Sequence, residues 1–319
     1  MSASVSVVVG LRERTRALGE SIAAFSREAE SVGAEVLLVD GSGGGDARAA
    51  AAAHANVRVV DGTRQALMPV LWSEGVRAAS GDVIALSIAS MTPDTGWLQR
   101  ACAILASGGP AAVGGAIENA PSTSPVHWAI YFARYSAYAL PFDAHDVDDL
   151  PADNAAYRRE ALAPARDLVE RAFWEPPIHA RMRAAGSRLR LDPTLVVRHN
   201  GSFGPAGFAA QRFAHGRHHA AAELAGASFA ARLAKIAKAP LVPMVLTARV
   251  ARRIFARRRL RAQFVYAAPV LVFFFACWAL GEAAGAVTAS ARAAAADHAL
   301  SRASRGANAE TTRERGANA

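Results

Sequence analysis

Cysteine is nearly absent from this 319-residue chain, occurring only at Cys102 and Cys277. Two cysteines cannot build a disulfide scaffold or a thiolate zinc site. Lysine is as scarce, at Lys235 and Lys238 only, so the basic charge is almost all arginine. With alanine and glycine also abundant, this looks like high-GC coding bias, and arginine number alone says little. The N-terminus, MSASVSVVVGLRERTR, meets charge at Arg12 before any long apolar stretch, so no secretory signal is expected. No apolar run long enough for a membrane occurs before Phe264. At 52% hydrophobic and 20% charged, the composition excludes a disordered chain. Acidic residues are missing from the stretch Arg249 to Arg261, which holds seven arginines (249, 252, 253, 257, 258, 259 and 261).

That run carries most of the formal net charge of +9, and the rest of the chain is nearly neutral. A nucleic-acid binder spreads arginines and aromatics over a face. Here the arginines lead directly into an apolar run, which points to anionic lipid and excludes a nucleic-acid partner. The strict apolar run, Phe264 to Leu280, has 17 residues. It would reach about 25 Å as a helix, and about 36 Å if continued to Val287. A bilayer core of about 30 Å needs that length, so a spanning helix is expected, with the residues before it in the cytoplasm. The positive mean hydropathy of +0.13 agrees. Upstream, Ala239 to Ile254 is interrupted by Pro240 and Pro243 and is expected to lie at the membrane interface. The tail from Ser290 repeats RGANA at 305–309 and 315–319 and is expected to be disordered.

Residues 5 to about 200 alternate strand-like and helix-like segments. Short apolar runs occur at Val5–Val9, Glu35–Asp40, 57–60, 83–87 and 111–117, the first two rich in valine. Helical stretches fall around Ala17–Glu30, near Val70–Ala79 and after Trp97. Such alternation predicts an α/β fold, a mostly parallel sheet with helices on both faces. Sheets of this kind bind ligands beyond the carboxyl ends of their strands. The residues that follow the strands are therefore the candidates for function.

After the second strand the chain reads Val39-Asp40-Gly41-Ser42-Gly43-Gly44-Gly45-Asp46. The glycines permit a tight turn, and Asp40 can accept hydrogen bonds from a base or ribose. The spacing is not that of a dinucleotide fingerprint. Further on come Ser80-Gly81-Asp82, Pro93-Asp94-Thr95-Gly96-Trp97, Asp153-Asn154-Ala155-Ala156-Tyr157-Arg158-Arg159-Glu160, Trp174-Glu175 and Val197-Arg198-His199-Asn200. This ordered set, over roughly residues 4–205, resembles the family 2 glycosyltransferases, membrane-associated bacterial enzymes of the GT-A fold. The resemblance implies a nucleotide-sugar donor held by Asp40, Gly41 and Ser42, with Ser90 and Asn154 also on the donor side. It gives Gln211, Arg212 and Arg217 a phosphate-binding role, and it lines the acceptor side with the Asn154 and Trp174-Glu175 segments.

Two departures matter. Where the family has an acidic DxD pair, this chain reads Ser87-Ile88-Ala89-Ser90-Met91, so Ile88 and Ser90 stand at the two acidic positions. Isoleucine cannot hold a divalent ion against a diphosphate. No cofactor therefore follows from the sequence. Mg²⁺ or Mn²⁺ would have only His199, water and the diphosphate for ligands, and His199 is equally well read as structural. The family's usual base, the aspartate of Glu-Asp, is replaced in Glu175-Pro176. Glu175 becomes the candidate base and Asp153 the reserve. An acid favoured by the dipole at a helix start accounts for Glu175 as well. His215, His218 and His219 read as a surface arginine/histidine helix.

The expected organisation is a GT-A transferase domain over 1–205 and a basic interfacial helical segment over 206–260. A transmembrane helix over 261–289 and a disordered tail over 290–319 complete it. The expected function is inverting transfer of a sugar from a nucleotide-sugar to a lipid-linked or cell-envelope glycan acceptor. The protein would sit at the cytoplasmic membrane, facing the cytoplasm, in polysaccharide biosynthesis. The alternative is a catalytically degenerate GT-A module that binds a nucleotide-sugar or a partner without turnover.

Overall fold

The computed structural model describes residues 3–106, 108–201, 204–224 and 226–288. The expectation for 290–319 lies outside these residues. The described chain falls into two compact units, one of residues 3–118 and 142–201 and one of residues 119–141 and 204–288.

The first unit is α/β, as expected, around a nine-stranded sheet. It runs β1 (Val5–Leu11), α1 (Leu18–Glu30), β2 (Glu35–Asp40), α2 (Asp46–Ala51), β3 (Val57–Asp61), α3 (Met68–Ala78), β4 (Val83–Ile88), β5 (Met91–Pro93), α4 (Trp97–Ala106) and β6 (Ala112–Asn119). After residue 141 come β7 (His145–Val147), β8 (Asn154–Arg158), α6 (Arg166–Arg171), α7 (Glu175–Ala184) and β9 (Leu189–His199). The strand order is β3-β2-β1-β4-β8-β6-β9-β5, with β7 paired to β9. The strands β3, β2, β1 and β4 pair in parallel. Beyond β4 the pairings β4–β8 and β6–β8 are antiparallel, as are those of β5 and β7 with β9. The parallel character expected from the alternation belongs to these first four strands. Every residue of β1 and β4 is buried, on both faces of the pleat. Continuous burial of that kind requires cover on both sides of the sheet, which explains why these strands read as unbroken apolar runs.

The second unit is helical. It contains α5 (Pro125–Tyr135), α8 (Pro205–Glu223), α9 (Phe229–Lys238), α10 (Val242–Ala256) and α11 (Arg261–Thr288). A 3-10 turn at Ala239–Leu241 links α9 to α10. The segment 119–141 lies inside the expected 1–205 domain by sequence, yet α5 belongs to this unit. Its Phe132 meets Phe264 edge-on at 5.8 Å, and Arg257 donates to the Ser136 and Ala137 carbonyls that end it. A buried helix terminus needs such partners for its last carbonyls.

Long and apolar enough to cross a membrane, α11 is the candidate span, with a mean hydropathy of 2.0 over its best 18 residues. One face is packed by its own unit. A Cβ on Gly216 of α8 would strike the Trp278 carbonyl oxygen, and one on Gly281 would strike that of Phe213. Small residues let two helices approach this closely. The other face exposes Tyr266, Phe273, Leu280 and Val287 at a spacing of seven, an apolar stripe along the helix.

Candidate active site

In the parallel half, β1, β2 and β4 stay in register to their carboxyl ends, where Leu11 stands opposite Asp40 and Gly10 opposite Ile88. Asp40 is the last residue of β2 and is buried. One of its carboxylate oxygens accepts from the Ser42 backbone N–H at 2.8 Å and from the Ser42 hydroxyl at 2.6 Å. This Asx turn sets the start of the loop that follows. Gly43 then takes a positive φ of 68°, and a Cβ there would meet the Arg64 guanidinium. The geometry thus needs glycine twice over, for the backbone and for the room. Asp40, Gly41 and Ser42 form one built turn at the strand ends.

The candidates Ser90 and His199 follow at the same edge. The Ser90 carbonyl accepts from the Asn200 N–H at 2.9 Å, and Met91 pairs with His199 across β5 and β9. Ile88, Ser90 and His199 are all buried. Ile88 offers no oxygen and Ser90 no carboxylate. Ile88 and Ser90 together do not fit a divalent ion. Among the described residues, the grouping spaced for one is His219, Glu223 and Glu282, in the helical unit. There Lys235 already lies between the two carboxylates, 2.8 Å from an oxygen of each.

The Asn154 amide is held by groups of the protein itself. It is fully buried, and its Nδ2 donates to the Ala116 and Leu195 carbonyls at 2.8 and 3.0 Å. Its Oδ1 accepts from the Trp97 indole at 2.7 Å. Those three bonds occupy the side chain, so it ties β8 to β6, β9 and α4. Its neighbour Asp153 is held through its backbone. The Ser87 hydroxyl donates to the Asp153 carbonyl at 2.9 Å, which pins that residue beside the end of β4.

Glu175 opens α7, which carries Pro176 at a position where a missing N–H costs nothing. Burial pushes its carboxyl up to about 8 against the pull of its own backbone N–H, and the charges of Asp153 and Asp149 raise it further. A carboxyl that is neutral at pH 7 and ionises just above it is poised for proton transfer. One turn along α7, His179 is fully buried. It contacts the Asp149 carboxylate through Nδ1 and the Tyr157 hydroxyl through Nε2, the latter at 3.0 Å. This Asp149–His179–Tyr157 chain fixes the backbone that carries Glu175 and Asp153. The sequence reading did not single it out, although the i, i+4 spacing of Glu175 and His179 was a usable signal.

Gln211, Arg212 and Arg217 are on α8, in the helical unit. The Arg212 guanidinium lies over the Phe208 ring at 4.9 Å and the Trp278 ring at 5.6 Å. It also contacts the Gln211 amide oxygen and the His215 ring. Burial, with help from the charge of Arg134, lowers its pKa to about 10. Its Nε is buried without a hydrogen-bond partner.

No family model matches the sequence, and no curated protein matches it. Among solved structures, the chain is similar to a mannosyltransferase from Pyrobaculum calidifontis, PcManGT, in complex with GDP-Man and Mn²⁺. The identity is 18% and the TM-score 0.49, covering 97% of this chain and 81% of that one. It is also similar to GalNAc-T7 with UDP, GalNAc and Mn²⁺, at 14% identity and a TM-score of 0.48, covering 63% of this chain and 44% of that one. At those values the likeness carries no residue role and no substrate across.

Proposed function

We propose that this protein is a GT-A glycosyltransferase of the family 2 type that moves a sugar from a nucleotide-sugar to a lipid-linked or envelope glycan acceptor. The observation that carries the reading is Glu175, a carboxyl raised to about 8 beside Asp153. It belongs to the unit whose parallel strands end at the Asp40–Ser42 turn. Asp40, Gly41 and Ser42 hold the base and ribose. In the inverting step the acceptor hydroxyl attacks the anomeric carbon as the bond to the diphosphate breaks. Glu175 takes the hydroxyl proton, and the nucleoside diphosphate leaves with the bonding electrons. With Ile88 and Ser90 unable to hold a divalent ion, the diphosphate charge falls to arginine forks, which suit phosphate oxygens. The membrane anchor is α11, with the arginine-rich stretch before it at the cytoplasmic face.

A second reading is favoured by the buried Ile88 and Ser90, which leave the usual acidic positions without a carboxylate. It is a module that binds a nucleotide-sugar without turnover. Calorimetric titration with a panel of nucleotide-sugars, with and without Mn²⁺, followed by a transfer assay, separates the two. Binding with transfer supports the enzyme, binding without transfer the module, and no binding contradicts both.

A further inference from the structure

The amphipathic helix α9 is packed inside out. In a helix on a water-facing surface the apolar stripe turns inward and the charges outward. In α9, Lys235 turns inward, donating to Glu223 of α8 and pairing with Glu282 of α11. Burial alone would depress its ammonium, but the two carboxylates outweigh that and hold its pKa above the ordinary value. Ile236, one residue on, packs against Leu224 and Ala286. The large apolar residues Phe229 and Leu233, one turn apart, are left 80% and 54% exposed. The apolar surface continues into the turn and the start of α10, where Leu241, Met244 and Val245 are exposed as well.

An ion-paired lysine holding a phenylalanine and a leucine outward makes sense where the outside is not water. The charge pattern identifies the occupant. No acid occurs between Glu223 and Glu282, while ten arginines and lysines do, among them Lys238 and the run from Arg249 to Arg261. Apolar anchors flanked by one-sided basic charge match a bilayer with anionic head groups. We propose that α9 and the first turn of α10 form a docking surface that inserts Phe229, Leu233, Leu241 and Met244 into the head-group layer of an anionic membrane. The Lys235–Glu223–Glu282 pairings set the orientation of α9 on its unit. This rests on the reading of the helical unit as membrane-bound, and it adds a second contact beside α11.

The test uses the full chain with Cys102→Ala and Cys277→Ala, and Phe229→Cys carrying an environment-sensitive NBD dye. Phe229 is so exposed that the label disturbs no packing. Vesicles are phosphatidylcholine with or without phosphatidylglycerol. The expected result is a blue-shifted emission, quenched by brominated lipid, that is stronger with phosphatidylglycerol. Leu233→Ser and Met244→Ser should each reduce the blue shift and the bromine quenching of the label, while α11 keeps the chain on the vesicle. A chain that binds vesicles while its label stays water-like overturns this proposal and leaves α11 as the anchor. A chain that binds no vesicle overturns the membrane reading with it. A shift that appears without vesicles and grows with protein concentration also overturns it, because a second copy then covers the face.

Discussion

Asp153 lies close enough to Glu175 for its charge to help keep the Glu175 carboxyl protonated at neutral pH. Burial is the larger cause and Asp153 an added one, so the two can be separated by mutation. Transfer should rise with pH through a midpoint near 8, as Glu175 gains its charge and becomes a base. Asp153→Asn removes a neighbouring negative charge and should move that midpoint down. A pH–rate profile of kcat for both proteins checks this, and a midpoint that does not move removes Asp153 from the pair.

The same carboxyl links pH to stability. Its folded value lies above the ordinary 4.5, so between about 4.5 and 8 the native chain holds a proton that the unfolded chain has released. Native stability from this group is therefore present below that window and declines as pH rises through it. Glu175→Gln should flatten the decline. Denaturant midpoints at pH 5 and pH 8 give the comparison, and equal slopes for the two proteins would count against a neutral Glu175.

Much of this was legible in the sequence, and the exceptions have physical causes. The strands β1, β2, β3, β4 and β6 and the helices α1, α3 and α4 announce themselves as short apolar runs alternating with helical periods. The antiparallel half does not: β9 contains Pro193 and polar residues, and its pairing with β5 and β7 depends on contacts distant in sequence. Asn154 stands in a motif and so drew a ligand role, but only the structure reveals that its amide is consumed by Ala116, Leu195 and Trp97. The Asx turn at Asp40 follows from local chemistry and was readable. The joining of α5 to the helical unit, and the outward face of α9, depend on packing that no local pattern encodes.

Asp40 should act mainly on donor binding. Contacts to a base or ribose are the same in ground and transition states, so their loss appears in KM and not in kcat. Asp40→Asn should raise the donor KM by roughly tenfold, in line with about 1.4 kcal/mol for one charge-assisted bond. Unchanged donor affinity with full activity would take Asp40 out of the site.

Divalent metal should matter little. Transfer is expected to persist in excess EDTA, because Ile88 and Ser90 bring no carboxylate to the diphosphate. His199→Ala should then not change the EDTA response. Activity that vanishes in EDTA and returns with Mn²⁺ would reverse this account and make His199 a ligand.

In the helical unit, Lys235→Met leaves Glu282 without its cation in a buried setting, and breaking such a pair costs about 3 kcal/mol. A thermal melt of the detergent-solubilised chain should record a clear drop. Lys235→Met/Glu282→Met, which removes both partners, should recover most of it. A double variant no more stable than the single one would mean that the ion pair is not what holds α9.

The most direct test of the central claim is transfer from labelled nucleotide-sugars to membrane lipid or glycan extract by the purified full-length protein, beside Glu175→Gln. The account predicts label in the acceptor fraction for the native chain, a loss of about a hundredfold or more for Glu175→Gln, and donor binding retained by both. Transfer undiminished in Glu175→Gln would contradict the assignment of the base. A native chain that binds donor yet moves no label onto any acceptor would contradict the enzyme.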